Sequence, residues 1–244
     1  MKKILFSSLI SFSMLLGDVI GGEVNLGIYN HTPNGTAQNG DDSVDVEKDL
    51  NWDSQSDIFF RAYLEHPLPI LPNIMVGYSR FSHDGVGTAS KDFSWGGITF
   101  FSLRDRVKSN LELDIYDLAL YYEILDNWLN LDIGLNLKYF NGDIDIDSTL
   151  KHDHSDIEFA LPTLYAKARF DVPTTNLSFQ AEGNFIGYDD NRYYDLELGA
   201  RYEILLGFGG EVGYRTMKIK IDDIDDISMD ADFSGIYGKV FWDF

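Results

Sequence analysis

The stretch from Leu129 to Phe140 alternates without a break. Leu129, Leu131, Ile133, Leu135, Leu137 and Tyr139 fall on one side, and Asn130, Asp132, Gly134, Asn136 and Lys138 on the other. A helix would spread those apolar positions around its circumference. A period of two therefore points to an extended strand whose two sides meet different media. The pattern recurs along the chain. Ile58, Phe60, Ala62 and Leu64 share a face opposite Asp57, Phe59, Arg61, Tyr63 and Glu65. Tyr116, Leu118, Leu120, Tyr122 and Ile124 form another, as do Leu164, Ala166, Ala168 and Phe170, and then Tyr194, Leu196, Leu198, Ala200 and Tyr202. A soluble sandwich or barrel would alternate too, but two features argue against one. Strands of ten or more residues exceed the common soluble length of about five or six. The faces opposite the apolar ones also carry charges of both signs, which a soluble core buries at high cost. In lipid every backbone group must pair internally, and a closed barrel does that without edges.

The strands are expected near Glu23–Tyr29, Asp57–Glu65, Ile74–Phe81, a long segment ending at Ile124, Leu129–Phe140, Glu158–Phe170, Leu177–Tyr188, Tyr193–Glu203, one from about Phe208, and a closing one ending at Phe244. The fold expected is all-β: a transmembrane antiparallel β-barrel of about ten strands, with eight or twelve as alternatives. Residues 30–55, rich in Asn, Gly, Asp and Thr, read as a long loop. Residues 82–110 read as outer loop with strand extensions. A crossing there would put the tight Asp126-Asn127 turn on the side of the long loops. Pro162 fits a fully paired strand poorly and points at most to a bulge.

Lys2 and Lys3 followed by an apolar run from Ile4 to Leu16 form the pattern of a secretory signal. The run is too short for a spanning helix, which needs about 20 apolar residues. Residues 1–17 are expected to be removed, leaving residues 18–244 as the barrel. That takes the net charge from −21 to −23, because two lysines leave. Such an acidic chain repels phosphate backbones, so nucleic acid is not an expected partner. The chain has no cysteine, so disulfides, thiolate metal sites and a lipid-anchored start are excluded. Aromatic residues reach 14%, which suits girdles at two membrane interfaces.

The last residues count back in twos as Phe244, Trp242, Val240, Gly238 and Ile236, opposite Asp243, Phe241, Lys239 and Tyr237. This ending resembles the C-terminal signal of bacterial outer-membrane barrels. The resemblance implies that the assembly machinery reads Ile236, Val240, Trp242 and Phe244. More of the chain, with Asp18-Val19-Ile20-Gly21-Gly22-Glu23 and the run Tyr121 to Gly134, resembles a family of bacterial outer-membrane β-barrels named for a Gly-Gly pair after the signal. That resemblance implies a barrel in the outer membrane of a Gram-negative bacterium, and it brings no catalytic residues with it. Outer-membrane lipids and lipopolysaccharide are then the expected surroundings of a monomer.

The inward polar positions are the first candidate site. Arg61, Lys138, Lys167, Arg169, Arg201, Arg215 and Lys239 share the interior with Asp57, Asp132, Glu182, Asp195, Glu197 and Glu211. They form either a plug of ion pairs supporting the wall or a narrow path for small solutes, since a small barrel can nearly be filled by side chains. The second candidate is acidic. Asp143, Asp145 and Asp147 share a face of an extended chain, and Asp222, Asp223, Asp225 and Asp226 form another cluster. Oxygen ligands of this kind suit weak Ca²⁺ or Mg²⁺ binding. The helix-loop calcium pattern is absent, because Ser148 stands where Gly is needed. The third is His152-Asp153-His154, whose two imidazoles would share a strand face and need a third ligand such as Asp156. A hydrolase would need Ser, His and an acid to converge. His83 between Ser82 and Asp84, and His154 before Ser155 and Asp156, supply them only as chain neighbours, which point to opposite faces. No enzymatic activity is expected.

Overall fold

The computed structural model describes residues 21–39, 42–68, 70–90, 93–95, 98–101, 104–149, 152–224 and 227–244. The expected signal, residues 1–17, lies outside them. Ten long strands close into an antiparallel barrel: β1 Gly21–Asn39, β2 Gln55–Glu65, β3 Asn73–Thr88, β4 Arg106–Leu125, β5 Leu129–Asp147, β6 His152–Asp171, β7 Leu177–Tyr188, β8 Asn191–Leu205, β9 Phe208–Ile224 and β10 Ile227–Asp243. Each pairs with its neighbours in sequence, and β1 pairs with β10 from Glu23↔Asp243 to Asn39↔Ile227. At the seam the Gly22 amide donates to the Phe244 carbonyl at 3.0 Å, and the Phe244 amide donates back to Gly22 at 2.9 Å. A Cβ on Gly22 would lie 2.4 Å from the Tyr63 carbonyl oxygen and 2.9 Å from the Phe244 ring. The glycine thus permits the close approach that seals the barrel.

An apolar belt circles the outside. On β4 it runs from Tyr116 to Ile124 and is exposed at Leu118, Leu120 and Tyr122. That is about nine residues, the length a tilted strand needs to cross hydrocarbon. Tyrosines mark one edge. The Tyr78 and Tyr116 rings lie 5.5 Å apart, and Tyr116 and Tyr139 lie 6.4 Å apart. The other edge carries Trp128 against Phe170 at 5.6 Å, Phe208 stacked on Trp242 at 5.4 Å, and Phe244 beside Trp242 at 5.0 Å. Both girdles sit where amphipathic rings favour a membrane interface.

Past the tyrosine edge the same strands continue, and their polarity inverts in phase. Within the belt β4 turns Tyr116, Leu118 and Leu120 outward and Asp117 inward. Beyond it Arg106 and Glu112 face out, while Val107, Leu111, Leu113 and Ile115 are buried inside. β5 does the same, with Lys138 inside the belt and Phe140 inside above it. The barrel is a membrane protein below this line and folds like a soluble one above it.

Several expectations change. Residues 30–55 are not one loop. β1 continues to Asn39, a short strand Asp42–Asp45 pairs back on it, and the following turn folds into the barrel mouth. Pairing with β10 overrides the turn-forming composition. Other strands outrun their expected ends for the same reason: β5 reaches Asp147, and β9 and β10 approach each other across the acidic stretch. The described residues of 82–110 stand beyond the belt, as strand extensions plus a hairpin of Phe93–Trp95 and Ile98–Phe101. Pro162 faces Leu137 on β5 but has no partner on β7, whose pairing with β6 stops at Phe185↔Leu164. It stands at a local edge, where a missing N–H costs nothing.

Candidate functional site

The expected inward charges converge at belt height. Arg61 donates to both Glu197 oxygens at 2.8 and 2.6 Å, and Arg215 grips Asp195 at 2.9 and 2.8 Å. Lys138 bridges Asp117 at 2.8 Å and Asp195 at 3.2 Å. Arg201 pairs with Glu23 at 2.8 Å, and Lys239 with Glu211 at 3.2 Å. Bidentate geometry makes such pairs rigid as well as strong. Aromatic rings fill the spaces between them. Tyr63 donates to Glu182, Lys167 sits 3.9 Å over the Tyr63 ring, and Arg201 sits 3.9 Å over Phe241. Arg61, Lys138, Lys167, Glu182, Asp195, Glu197, Arg201, Glu211, Arg215, Lys239 and Asp132 are all buried. Arg169 differs: it lies at the short-turn end, 3.4 Å from Asp171, lining a cavity of about 190 Å³ with Glu23, Glu65 and Asp132.

Above this network a second layer closes the mouth. Val44, Val46, Leu50 and Trp52 bury against Phe81, Leu111 and Phe233. Gly87 makes room: a Cβ there would meet the Asp49 carbonyl oxygen at 1.8 Å. The Trp52 indole donates to Ser109 at 2.8 Å and stacks on His83 at 5.5 Å. Beneath it runs a buried polar chain. His83 Nδ1 faces the Asp53 carbonyl at 3.2 Å, His83 Nε2 meets His31 Nδ1 at 3.1 Å, and His31 Nε2 meets Asp57 at 3.2 Å. A carbonyl only accepts, so His83 Nδ1 carries the hydrogen and Nε2 accepts from His31. Asp57 already accepts from the Ser82 amide and hydroxyl. His83 lies above the belt, its outward neighbours being Ser82 and Asp84. Burial and the neighbouring His31 push it down to about 4, so it stays neutral.

Ser82 donates to a carboxylate, not to an imidazole, and both histidines are sealed under Trp52. No nucleophile is activated in this arrangement. The order along the hydrogen bonds is serine, acid, histidine, histidine.

The third group lies on the outer surface of the β5–β6 hairpin. Register sets Asp143 opposite Asp156, Asp145 opposite His154 and Asp147 opposite His152. Ligand atoms of Asp143, Asp145 and His154 lie within 4.8 Å of one another. His154 Nδ1 is 2.8 Å from Asp145, and that hydrogen bond raises its pKa. Asp147 and His152 pair separately, so the expected set divides in two. Asp222, Asp223, Asp225 and Asp226 fall outside the described side chains.

Glu23 and Asp117 complete the interior network and were not on the expected list. Strand parity could have found them, since Val24 and Tyr116 outward put both inward. The His31–His83 pair joins residues 52 apart in sequence and has no local signal.

No family model matches the chain, and no curated protein sequence matches it. Solved structures do match. The outer membrane protease OmpT from Escherichia coli superposes with a TM-score of 0.58 at 12% identity, over 93% of this chain and 97% of that one. The transport unit of the autotransporter AIDA-I from Escherichia coli gives 0.44 at 10% identity, over 91% and 89%. Ail, the attachment invasion locus protein of Yersinia pestis, gives 0.34 at 8%, over 91% and 99%. At such identities the likeness speaks for fold alone. This chain has the closed antiparallel barrel fold of outer-membrane proteins.

Proposed function

We propose that this barrel is a closed, non-conducting element of the outer membrane, a monomer whose working surface is the wall projecting beyond the lipid. A single observation carries the reading. Arg61–Glu197, Arg215–Asp195 and Lys138 span the lumen as buried, mutually bonded side chains, with the Trp52 layer above them. Ions would have to break these pairs to pass, at a cost of about 3–5 kcal/mol for each one broken. Purified protein in planar bilayers tests this. The native chain is expected to give no stepwise current, and Arg61→Ala with Arg215→Ala is expected to give some. Stepwise ohmic current from the native chain would reject the closed reading in favour of a narrow pore.

Lipopolysaccharide and other outer-membrane lipids are the proposed surroundings. The outward row Ile236, Val240, Trp242 and Phe244 is the proposed contact for the assembly machinery. No enzymatic role is proposed, because the linked Ser82, Asp57 and His31 are wrongly ordered for attack. A second reading has its own observation. The Asp143, Asp145 and His154 trio offers two carboxylates and an imidazole to a weakly held divalent cation such as Ca²⁺ or Mg²⁺. Saturable calorimetric binding that vanishes in Asp143→Asn with Asp145→Asn is the expected result. Unchanged heat would dismiss it.

A further inference from the structure

The barrel wall has a notch. β7 ends at Tyr188 and β8 begins at Asn191, so their hairpin barely rises above the belt. Its neighbours continue upward. β6 reaches His152 with no partner on that side above Leu164, and β9 reaches Ile224 although its pairing with β8 ends at Arg192↔Lys220. Behind the low hairpin lies a cavity of about 350 Å³. That volume is within the range of small-molecule sites.

The lining is apolar where the lumen lies. Phe140, Phe159, Leu161, Ile186, Tyr193 and Ile219 form it, with the Phe140 and Phe159 rings stacked at 4.4 Å. Phe159 and Tyr188 are exposed, at 44% and 84%, so the cavity is reached from outside. Two further features indicate an occupant. Tyr193 is buried, and its hydroxyl has no hydrogen-bond partner. A buried donor left without a partner is costly, and a ligand oxygen would satisfy it. At the opening stand Arg192 and Lys220, cross-strand neighbours on the outward parity. The turn carboxylates Asp189 and Asp190 do not line the cavity.

We infer that this notch binds a long-chain amphiphile with an anionic head. The chain enters between β6 and the β7–β8 hairpin and lies against Phe140 and Leu161. The Tyr193 hydroxyl is the polar contact inside. Arg192 and Lys220 hold the carboxylate or phosphate at the rim, where an outer-leaflet headgroup would sit. The site sits above the charged network, whose Lys138 Nζ is 5.9 Å from the Tyr193 ring centroid, and apart from the Asp143 cluster outside.

The probe is cis-parinarate, a fluorescent long-chain carboxylate, added to the folded mature chain in a short-chain zwitterionic detergent. Saturable fluorescence enhancement is expected, with oleate competing better than oleyl alcohol. Leu161→Trp and Ile186→Trp fill the cavity from two different strands. Each is expected to weaken binding about tenfold or more while the protein keeps its heat-modifiable migration. Arg192→Gln with Lys220→Gln is expected to weaken binding several-fold and erase the preference for oleate over the alcohol. Competition by phosphatidylglycerol as well as oleate assigns the bilayer as the source; competition by oleate alone assigns a free single-chain amphiphile. Unsaturable enhancement, or equal binding by the native chain and both folded tryptophan variants, would overturn the site. Equal competition by oleate and its alcohol against the native chain would overturn the anionic head.

Discussion

The two halves of the lumen solve the same packing problem in opposite ways. At belt height the outside is greasy, and the inside holds Arg61, Glu197, Arg215 and Asp195 in bidentate pairs. Above the belt the outside is wet, with Arg80 paired to Glu112 at 2.6 Å, and the inside is Phe81, Leu113, Ile115 and Phe233. The strands do not break between the halves. The difference teaches that the outer solvent, not the strand, decides which parity is polar. In lipid there is no hydrophobic gain from turning apolar groups inward, so the interior can be held by charges; in water that gain returns.

Breaking the lower half should cost most. Glu197→Gln leaves Arg61 and Arg215 short of a counter-charge, and urea unfolding from vesicles is expected to show a loss of about 3–5 kcal/mol. Replacing Arg61 and Glu197 together by Met and Leu should restore part of it, because Arg61 is then no longer stranded and Arg215 keeps Asp195. Equal losses in single and double variants would count against a pairing role. In the upper half Leu113→Ala should cost about 2–5 kcal/mol by leaving a cavity. A loss near zero there would mean that the layer is not packed as a core.

Acid separates the halves further. His83 is neutral when folded, with its pKa lowered from 6.5 to about 4. The unfolded chain therefore binds the extra proton first. The stability this group contributes is complete above about pH 6.5 and is lost as pH falls toward about 4, by up to about 3 kcal/mol. Below that the loss from this group levels off. Comparing the native chain with His83→Gln isolates the effect, and parallel pH curves for the two would refute it. The smallest change belongs to the surface. Arg80→Gln is expected to cost less than about 1 kcal/mol, and less still at high salt.

Much of this was legible beforehand. Leu129 to Phe140 settled the strand character and the two faces, and parity alone put Arg61, Lys138, Glu197 and Arg215 inside. Composition misled at residues 30–39, where Asn, Gly and Thr suggested a loop. The partner strand Ile227–Asp243 supplied the hydrogen bonds that turn residues lack locally. The row of carboxylates near Asp145 shows the same limit. Alternation correctly aligned Asp143, Asp145 and Asp147, but cross-strand register decides which histidine each one meets.

The sequence by itself determined the period of two and the charged parity of the strands. Those are properties of single strands, fixed by which neighbours share a face. Which charge meets which, how Trp52 caps His83, and where the wall drops beside Tyr188 were decided only when ten strands closed into a ring. Each of those features joins residues distant in the chain, and closure sets their distances.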